Sequence, residues 1–455
     1  MPDLDEFAGL LEQSKNYALD YIGGVDTRDV FPGDAAIRGL ACLVEDLPDA
    51  GVDGLEILRL LHEYGSPATV ATTGRRYFGF VTGGALPVSV AARWLADVWD
   101  QNAGLYVMSP IAATLEDVCE KWLVELLGLP GGTAMGLVSG SSMGTLCGLA
   151  AGRNRLLRAH GWDARRDGLF GAPPIRVVVG EEAHSTVFKA LSLLGLGSAR
   201  VEVVPSDGQG RMDATRVPEL DDATLLILQA GNVNTGAFDP FERLCPLARE
   251  QGAWVHIDGA FGLWAAASRR FADLTASMAL ADSWSADAHK TLNVPYDSGI
   301  VFCRERPALT EALQLQGAYI AYSDQRDGML YTPEMSRRAR SVELWAALKA
   351  LGRAGVAELV DDLHDKACYF ADRLRENGFD IPGEACFNQV NVYVGDEAET
   401  RRVSQGIQSL GTCWCGTSAR NGKPFIRISI SSFRTTYDDI DRSVQAFARA
   451  ASGHE

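Results

Sequence analysis

The sequence predicts an α/β fold: a large domain on a mostly parallel sheet flanked by helices, an N-terminal helical segment, and a small C-terminal α+β domain. Three observations carry this. In the middle of the chain short apolar, β-branched runs (IRVVVG, RVEVVP, TLLILQ, AWVHID, GIVFCR) alternate with helical stretches such as STVFKALSLLG and PFERLCPLAREQG. Short buried strands alternating with helices pack as a parallel sheet covered on both faces. The first 85 residues read as mainly helical, and beyond about residue 350 the pattern changes to helix, strands and helix.

In order along the chain, residues 1–85 carry helix-period apolar positions in LDEFAGLLEQSKNYALDYI and GLEILRLLHEYG, joined by the turn-rich GVDTRDVFPGD. The large domain, 86–349, opens with the helical patterns VSVAARWLADVWDQ and TLEDVCEKWLVELLG; LPGG at Leu129–Gly132 stops the second. The next run, PGGTAMGLVS, is too Gly-rich to predict a strong central strand. The alternating strands and helices follow. Residues 350–455 read as the helix VAELVDDLHDKACYFADRLRENG, the strands NQVNVYVG and PFIRISISS, and the helix YDDIDRSVQAFARAA.

The chain has 455 residues, 47% hydrophobic and 22% charged, which is enough to bury a large core. A net charge of -17 repels nucleic acid and anionic membranes, so neither is an expected partner. The opening residues lack the basic and apolar regions of a signal peptide, and no apolar run is long enough to span a bilayer. The nine cysteines are scattered, and Cys413 and Cys415 form C-x-C with no second pair or nearby histidine to make a metal set. Reduced cysteines in a cytoplasmic protein without a metal site are therefore expected.

Polar residues just after the strands are where a parallel sheet does chemistry. AWVHID ends in Asp258, then Gly259 and Ala260; a carboxylate there needs a cation or a hydrogen-bond donor. SWSADAHKTLNVPYDSG places His289 and Lys290 before a turn; a lysine with a depressed pKa can form a Schiff base. His184 follows IRVVVG and opens a helix, where its ring could stack on a planar ligand. Asn232 and Thr235 follow TLLILQ in LQAGNVNTGAFDP. Taken singly, these are a capping Asp, a surface Lys, a helix-start His and an ordinary turn. Together, at the ends of strands of one sheet, they supply what one cofactor requires: a lysine for an aldehyde, an Asp for a protonated pyridine nitrogen, and a Gly/Ser turn at a helix start for a phosphate.

That turn is VSGSSMGT. Its Gly140–Gly144 segment also matches the G-x-S-x-G elbow of serine hydrolases, which would make Ser142 a nucleophile with Asp258 and His289 behind it. Against this, no HGGG-like oxyanion segment precedes it, and the reading leaves Lys290 and His184 unexplained.

AHSTVFKA, GAFDP, HIDGAFG and DAHK, in this order and spacing, resemble the pyridoxal-phosphate-dependent group II amino-acid decarboxylases, of the aspartate-aminotransferase fold type. The resemblance runs from about residue 70 to the end and is strongest from Val138 to Arg304. It implies fold type I with a seven-stranded-type sheet, pyridoxal 5'-phosphate as cofactor, and a homodimer in which residues 1–85 wrap the partner protomer. By the same resemblance Lys290 is the internal-aldimine lysine and Asp258 the partner of the pyridine nitrogen. Ala260 packs on one ring face and His184 on the other. Gly140, Ser141 and Ser142 bind the phosphate, His289 contacts the phosphate or the Schiff-base region, and Asn232 stands near the ring hydroxyl.

The chain departs from the family pattern at Thr291, where aromatic decarboxylases carry Trp, and at Asp287, where many members place an Asn near the phosphate. The segment GAYIAYSDQRDGMLYTPEMSRRARS is shorter than the mobile loop whose tyrosine acts as proton donor in aromatic decarboxylases; Tyr322 and Tyr331 lie in its core. Phe78, Phe80, Tyr331 and Arg434 are the candidate substrate contacts, and the two phenylalanines allow an aromatic or apolar amino acid. The expected activity is decarboxylation of an L-amino acid. The alternatives on the same cofactor are a carbon-carbon lyase or aldolase, an amine-aldehyde synthase and an aminotransferase. A catalytically inactive scaffold is a further alternative, opposed by the complete Lys, Asp and His set.

Overall fold

The computed structural model describes residues 4–314 and 324–453. One sheet is built from β1 (Ala134–Val138), β2 (Arg176–Gly180), β3 (Glu202–Val204), β4 (Thr224–Gln229), β5 (Trp254–Asp258), β6 (Ser283–Asp287) and β7 (Gly299–Cys303). Their spatial order is β1-β7-β6-β5-β4-β2-β3. Strands β2 to β6 pair in parallel, while β7 runs antiparallel to both β6 and β1. Every residue of β1, β4, β5, β6 and β7 is buried. That is why β4 and β7 read as nearly continuous apolar runs and not as alternation, while β5 and β6 carry polar residues under the same burial.

The Gly-rich run PGGTAMGLVS forms β1, which stands at one end of the sheet order. Its Gly136 is required by packing, because a Cβ there would lie 2.2 Å from the Tyr331 carbonyl oxygen. The helix Ser141–Ala159 crosses the sheet on a stripe of glycines four residues apart. A Cβ at Gly144 would come within 2.8 Å of the Ile300 carbonyl, and at Gly148 or Gly152 within 2.7 Å of the His256 or Trp254 ring. Only glycine lets the helix backbone approach this closely. Beneath it Ser283 Oγ lies 2.8 Å from His256 Nδ1 and accepts from Trp254 Nε1 at 3.1 Å.

The chain divides into two compact units. The larger comprises Gly83–Cys368 and Gly383–Val390 and contains the seven-stranded sheet. The smaller comprises the chain up to Thr82, Tyr369–Pro382 and the chain from Asn391. A second sheet is formed by β8 (Gln389–Val392), β9 (Gly416–Arg420) and β10 (Lys423–Ser429), in the order β8-β10-β9. β9 and β10 form a hairpin across Asn421-Gly422, both at positive φ (51° and 73°), the conformation an Asn-Gly turn favours. The sequence reading missed β9, whose GTSAR is short, polar and half-exposed. The helix Leu4–Gly24 has no buried residue, and Leu4, Phe7, Leu11, Leu19 and Ile22 are exposed. Among the described residues no helix is long and apolar enough to cross a membrane, and all nine cysteines are free.

Candidate active site

Strand register brings the predicted residues to one edge of the large sheet. Gln229, Asp258 and Ser285 are level across β4, β5 and β6, and Asp287, Gly299 and Val138 are level across β6, β7 and β1. Asp258 and Asp287 thus close neighbouring strands, and Val138 leads into the helix Ser141–Ala159. Gly299 makes this convergence possible: a Cβ there would stand 2.3 Å from Gly140 Cα.

Asp258 is 6% exposed. Burial pushes its carboxyl above the usual carboxylate range, while the charges of His184 and Lys290 pull it back. The Ala260 amide donates to its Oδ1 at 3.3 Å, and the Ala260 carbonyl accepts from the Asp287 amide at 2.8 Å, tying the ends of β5 and β6 together. His184 is the N-cap of the helix Ser185–Leu193. Its Nδ1 lies 2.8 Å from Thr186 Oγ1 and 3.3 Å from the Thr186 amide nitrogen.

After β6 the chain turns through Ala288, His289 and Lys290. The turn is held by the Ser298 carbonyl, which accepts from the Ala288 and His289 amides. His289 Nδ1 accepts from the Ser298 amide at 3.1 Å, so its Nε2 faces Asp287 Oδ1 at 3.6 Å. Burial holds the His289 imidazole below the usual histidine range. The Tyr296 ring covers it, with centroids 4.2 Å apart. Lys290 keeps a side-chain exposure of 20%, with Nζ 3.1 Å from Asp287 Oδ2. Gly83 passes against this turn so closely that a Cβ would lie 2.1 Å from the Lys290 carbonyl oxygen. Thr291 is buried and donates to the Phe261 carbonyl at 2.9 Å, an architectural role.

Gly140 is the N-cap of the helix Ser141–Ala159 in extended conformation. Ser141 is bound by Asp287, through its amide at 2.5 Å and its hydroxyl at 2.7 Å. Ser142 is exposed on the first turn. His289 directs its two nitrogens to Ser298 and Asp287, so the geometry of a Ser–His pair at the elbow is not formed.

The remaining predicted residues are engaged as follows. Asn232 is buried and serves its own turn: its Oδ1 accepts from the Asn234 and Thr235 amides, and its Nδ2 donates to Glu182 and the Gly210 carbonyl. Tyr331 is placed at the opposite end of the sheet. Its ring lies beneath the Arg326 guanidinium at 4.2 Å and its hydroxyl accepts from Arg306 at 2.7 Å. Both arginines pair with Glu120, whose carboxylate accepts from the Met135 amide near the start of β1. Phe78, Phe80 and Arg434 belong to the smaller unit. Phe78 is 1% exposed, a core residue packed edge-on against Phe370. Phe80 is 67% exposed, at φ 53°, and stacks on Trp414. Arg434 is bound by Asp26 at 2.5 Å and by the Thr73 carbonyl. Tyr322 lies outside the described residues.

Sequence reasoning missed the Asp287–Lys290 and Asp287–Ser141 contacts and the anchoring role of Asp239. Asp239, from GAFDP, accepts from the Met212 and Gln229 amides at 2.7 Å each and holds the end of β4; burial raises its carboxyl to about 6. The i, i+3 spacing within DAHK was the available signal for the first of these.

A lysine, a buried carboxylate and a capping histidine at the carboxyl edge of a mostly parallel sheet, beside a helix N-terminus, define an α/β protein of fold type I. Residues 67–392 match the pyridoxal-dependent decarboxylase conserved domain, and the chain belongs to that family. It is 26% identical over 370 residues to the acidic amino acid decarboxylase GADL1 of Mus musculus, which covers 76% of this chain and 64% of that protein. The chain therefore spans somewhat less than two thirds of that relative's length. It is also 26% identical to the aromatic-L-amino-acid decarboxylase of Rattus norvegicus, over 78% of each protein. The crystal structure of Oryza sativa TDC with PLP and tryptamine superposes with a TM-score of 0.91 at 20% identity, covering 99% of this chain and 98% of that one, a likeness of fold.

Proposed function

We propose that this chain is a pyridoxal-phosphate-dependent decarboxylase of an L-amino acid, with Lys290 as the lysine that attaches the cofactor. The observation that carries the reading is the gathering of Lys290, Asp258 and His184 at one sheet edge beside the first turn of Ser141–Ala159.

The residues fit the group by their chemistry. Lys290 Nζ is a partly exposed primary amine. Asp258 is a carboxylate raised by burial, and a protonated ring nitrogen is the cation that would relieve it. The first turn of Ser141–Ala159, with Gly140 and the hydroxyls of Ser141 and Ser142, offers donors to a phosphate. The cofactor, when bound, supplies the electron sink for the pair released as the carboxyl group leaves. The chain's own residues would hold that group: Lys290 would attach and release it, Asp258 would keep its ring nitrogen protonated, His184 and Ala260 would flank it, and His289 would stand toward its phosphate.

A cytoplasmic homodimer is supported by the exposed apolar residues of the helix Leu4–Gly24 and by the free cysteines.

The test is a screen of candidate amino acids on the cofactor-loaded protein, following the visible absorption of the bound cofactor and identifying products. Carbon dioxide with the matching amine is the expected outcome. A keto acid, an aldehyde or ammonia as the main product would overturn decarboxylation in favour of another reaction on the same cofactor.

A further inference from the structure

Asp287 occupies ground that a phosphorylated ligand would need. Its carboxylate is 2% exposed and lies at the start of the helix Ser141–Ala159. Oδ1 accepts from the Ser141 amide at 2.5 Å, and Oδ2 accepts from Ser141 Oγ at 2.7 Å. The same Oδ2 lies 3.1 Å from Lys290 Nζ, and Oδ1 lies 3.6 Å from His289 Nε2. Its backbone is fixed on both sides: the amide donates to the Ala260 carbonyl at 2.8 Å, and the carbonyl accepts from Trp264 Nε1 at 3.0 Å. The side chain can rotate, but the residue cannot withdraw.

We infer, resting on the cofactor reading above, that Asp287 gates cofactor loading: its carboxylate is a built-in occupant of the phosphate cradle and competes with the phosphate for Ser141 and with the aldehyde for Lys290. A phosphate monoester carries close to two negative charges at neutral pH. It is drawn to the helix N-terminus for the same reason the carboxylate is. Two anions sharing one helix end and one lysine repel, so binding requires Asp287 to leave Ser141. The phosphate group therefore adds less affinity to this chain than an uncompeted helix N-terminus would give.

The experiment compares dissociation constants of pyridoxal and pyridoxal phosphate for the unloaded protein, by tryptophan fluorescence, in wild type, Asp287→Asn and Asp287→Ser. Pyridoxal, which lacks the phosphate, is the internal reference showing that each variant is folded at the site. The expected result is that the pyridoxal to pyridoxal phosphate ratio rises about 10- to 100-fold in both variants, the size of one weakly screened like-charge contact. Inorganic phosphate should compete correspondingly better. An unchanged or lower ratio in the variants overturns the inference. So does a wild-type ratio above about 1,000-fold, which two or three uncompeted charge-assisted hydrogen bonds would produce. If wild type bound neither ligand, the cofactor reading itself would fall and the gate with it; normal binding with an unaltered ratio removes only the gate.

Discussion

Asp258 and Lys290 do opposite things with their surroundings. Asp258 is sealed at the end of β5, where burial raises its carboxyl, whereas Lys290 reaches solvent and is paired with Asp287. Replacing Asp258 by Asn should leave the cofactor bound but lower kcat by about 100-fold or more, because the ring nitrogen loses the group that keeps it protonated. Steady-state kinetics beside the absorption spectrum checks this. Removing the Ser142 hydroxyl should weaken cofactor retention by about tenfold, one charge-assisted hydrogen bond, with kcat at saturating cofactor little changed. A Ser142→Ala protein that retained cofactor fully yet lost turnover would restore the nucleophile reading. His256 gives a pH prediction. Burial depresses its imidazole to about 3, so it folds neutral. Its contribution is fully present above the ordinary histidine value of about 6.5 and is lost as pH falls toward 3, at about 1.4 kcal/mol per pH unit. Acid denaturation followed by circular dichroism should be shallower in His256→Asn than in wild type.

Much of this scale was legible in the sequence, because Lys290, Asp258 and His184 sit where polar residues interrupt apolar strands. Their partners were less so. The contact of Asp287 with Lys290 and Ser141 depends on a turn closed by Ser298 and on Gly299 admitting the helix. Tyr331 was a candidate substrate contact because it lies in the loop segment, yet its ring is held by two arginines at the far end of the sheet. A tyrosine's place in sequence says nothing of which end of a strand it packs against.

At the scale of elements, the alternation was readable because burial makes β2, β4 and β7 short apolar runs, with helices following β1, β2 and β4. The hairpin strand β9 was not, since its residues are small and polar and only the Asn421-Gly422 turn marks it. The glycine stripe of Ser141–Ala159 belongs to this scale. Gly148→Ala would push a Cβ to 2.7 Å from His256, and such overpacking costs about 1–3 kcal/mol. Differential scanning calorimetry should show the lowered midpoint. The buried charges around Glu116 behave differently. Arg326 donates to Glu116 at 2.9 Å and Arg337 pairs with the same carboxylate, all three almost fully enclosed. Arg326→Met leaves Glu116 and Glu120 short of a partner and should cost about 3–5 kcal/mol in chemical denaturation.

For the whole molecule, the N-terminal segment is the least self-sufficient part. The helix Leu4–Gly24 has no fully buried residue, and exposed apolar residues continue through Phe31, Ile37 and Leu40. A row of apolar residues facing solvent calls for a partner surface, and periodicity alone could not say whether that surface was its own core or another protomer. Phe7→Asp combined with Leu11→Asp should shift the proposed homodimer toward monomer in sedimentation velocity. An unaltered sedimentation coefficient would count against this segment as the interface.

Lys290 is the proposed attachment lysine at the edge of the large sheet. Borohydride reduction of the cofactor-loaded protein, followed by peptide mapping, tests it most directly. The pyridoxyl group should be recovered on Lys290, and Lys290→Ala should carry none. Recovery on another lysine, or an equal yield from the Lys290→Ala protein, would contradict it.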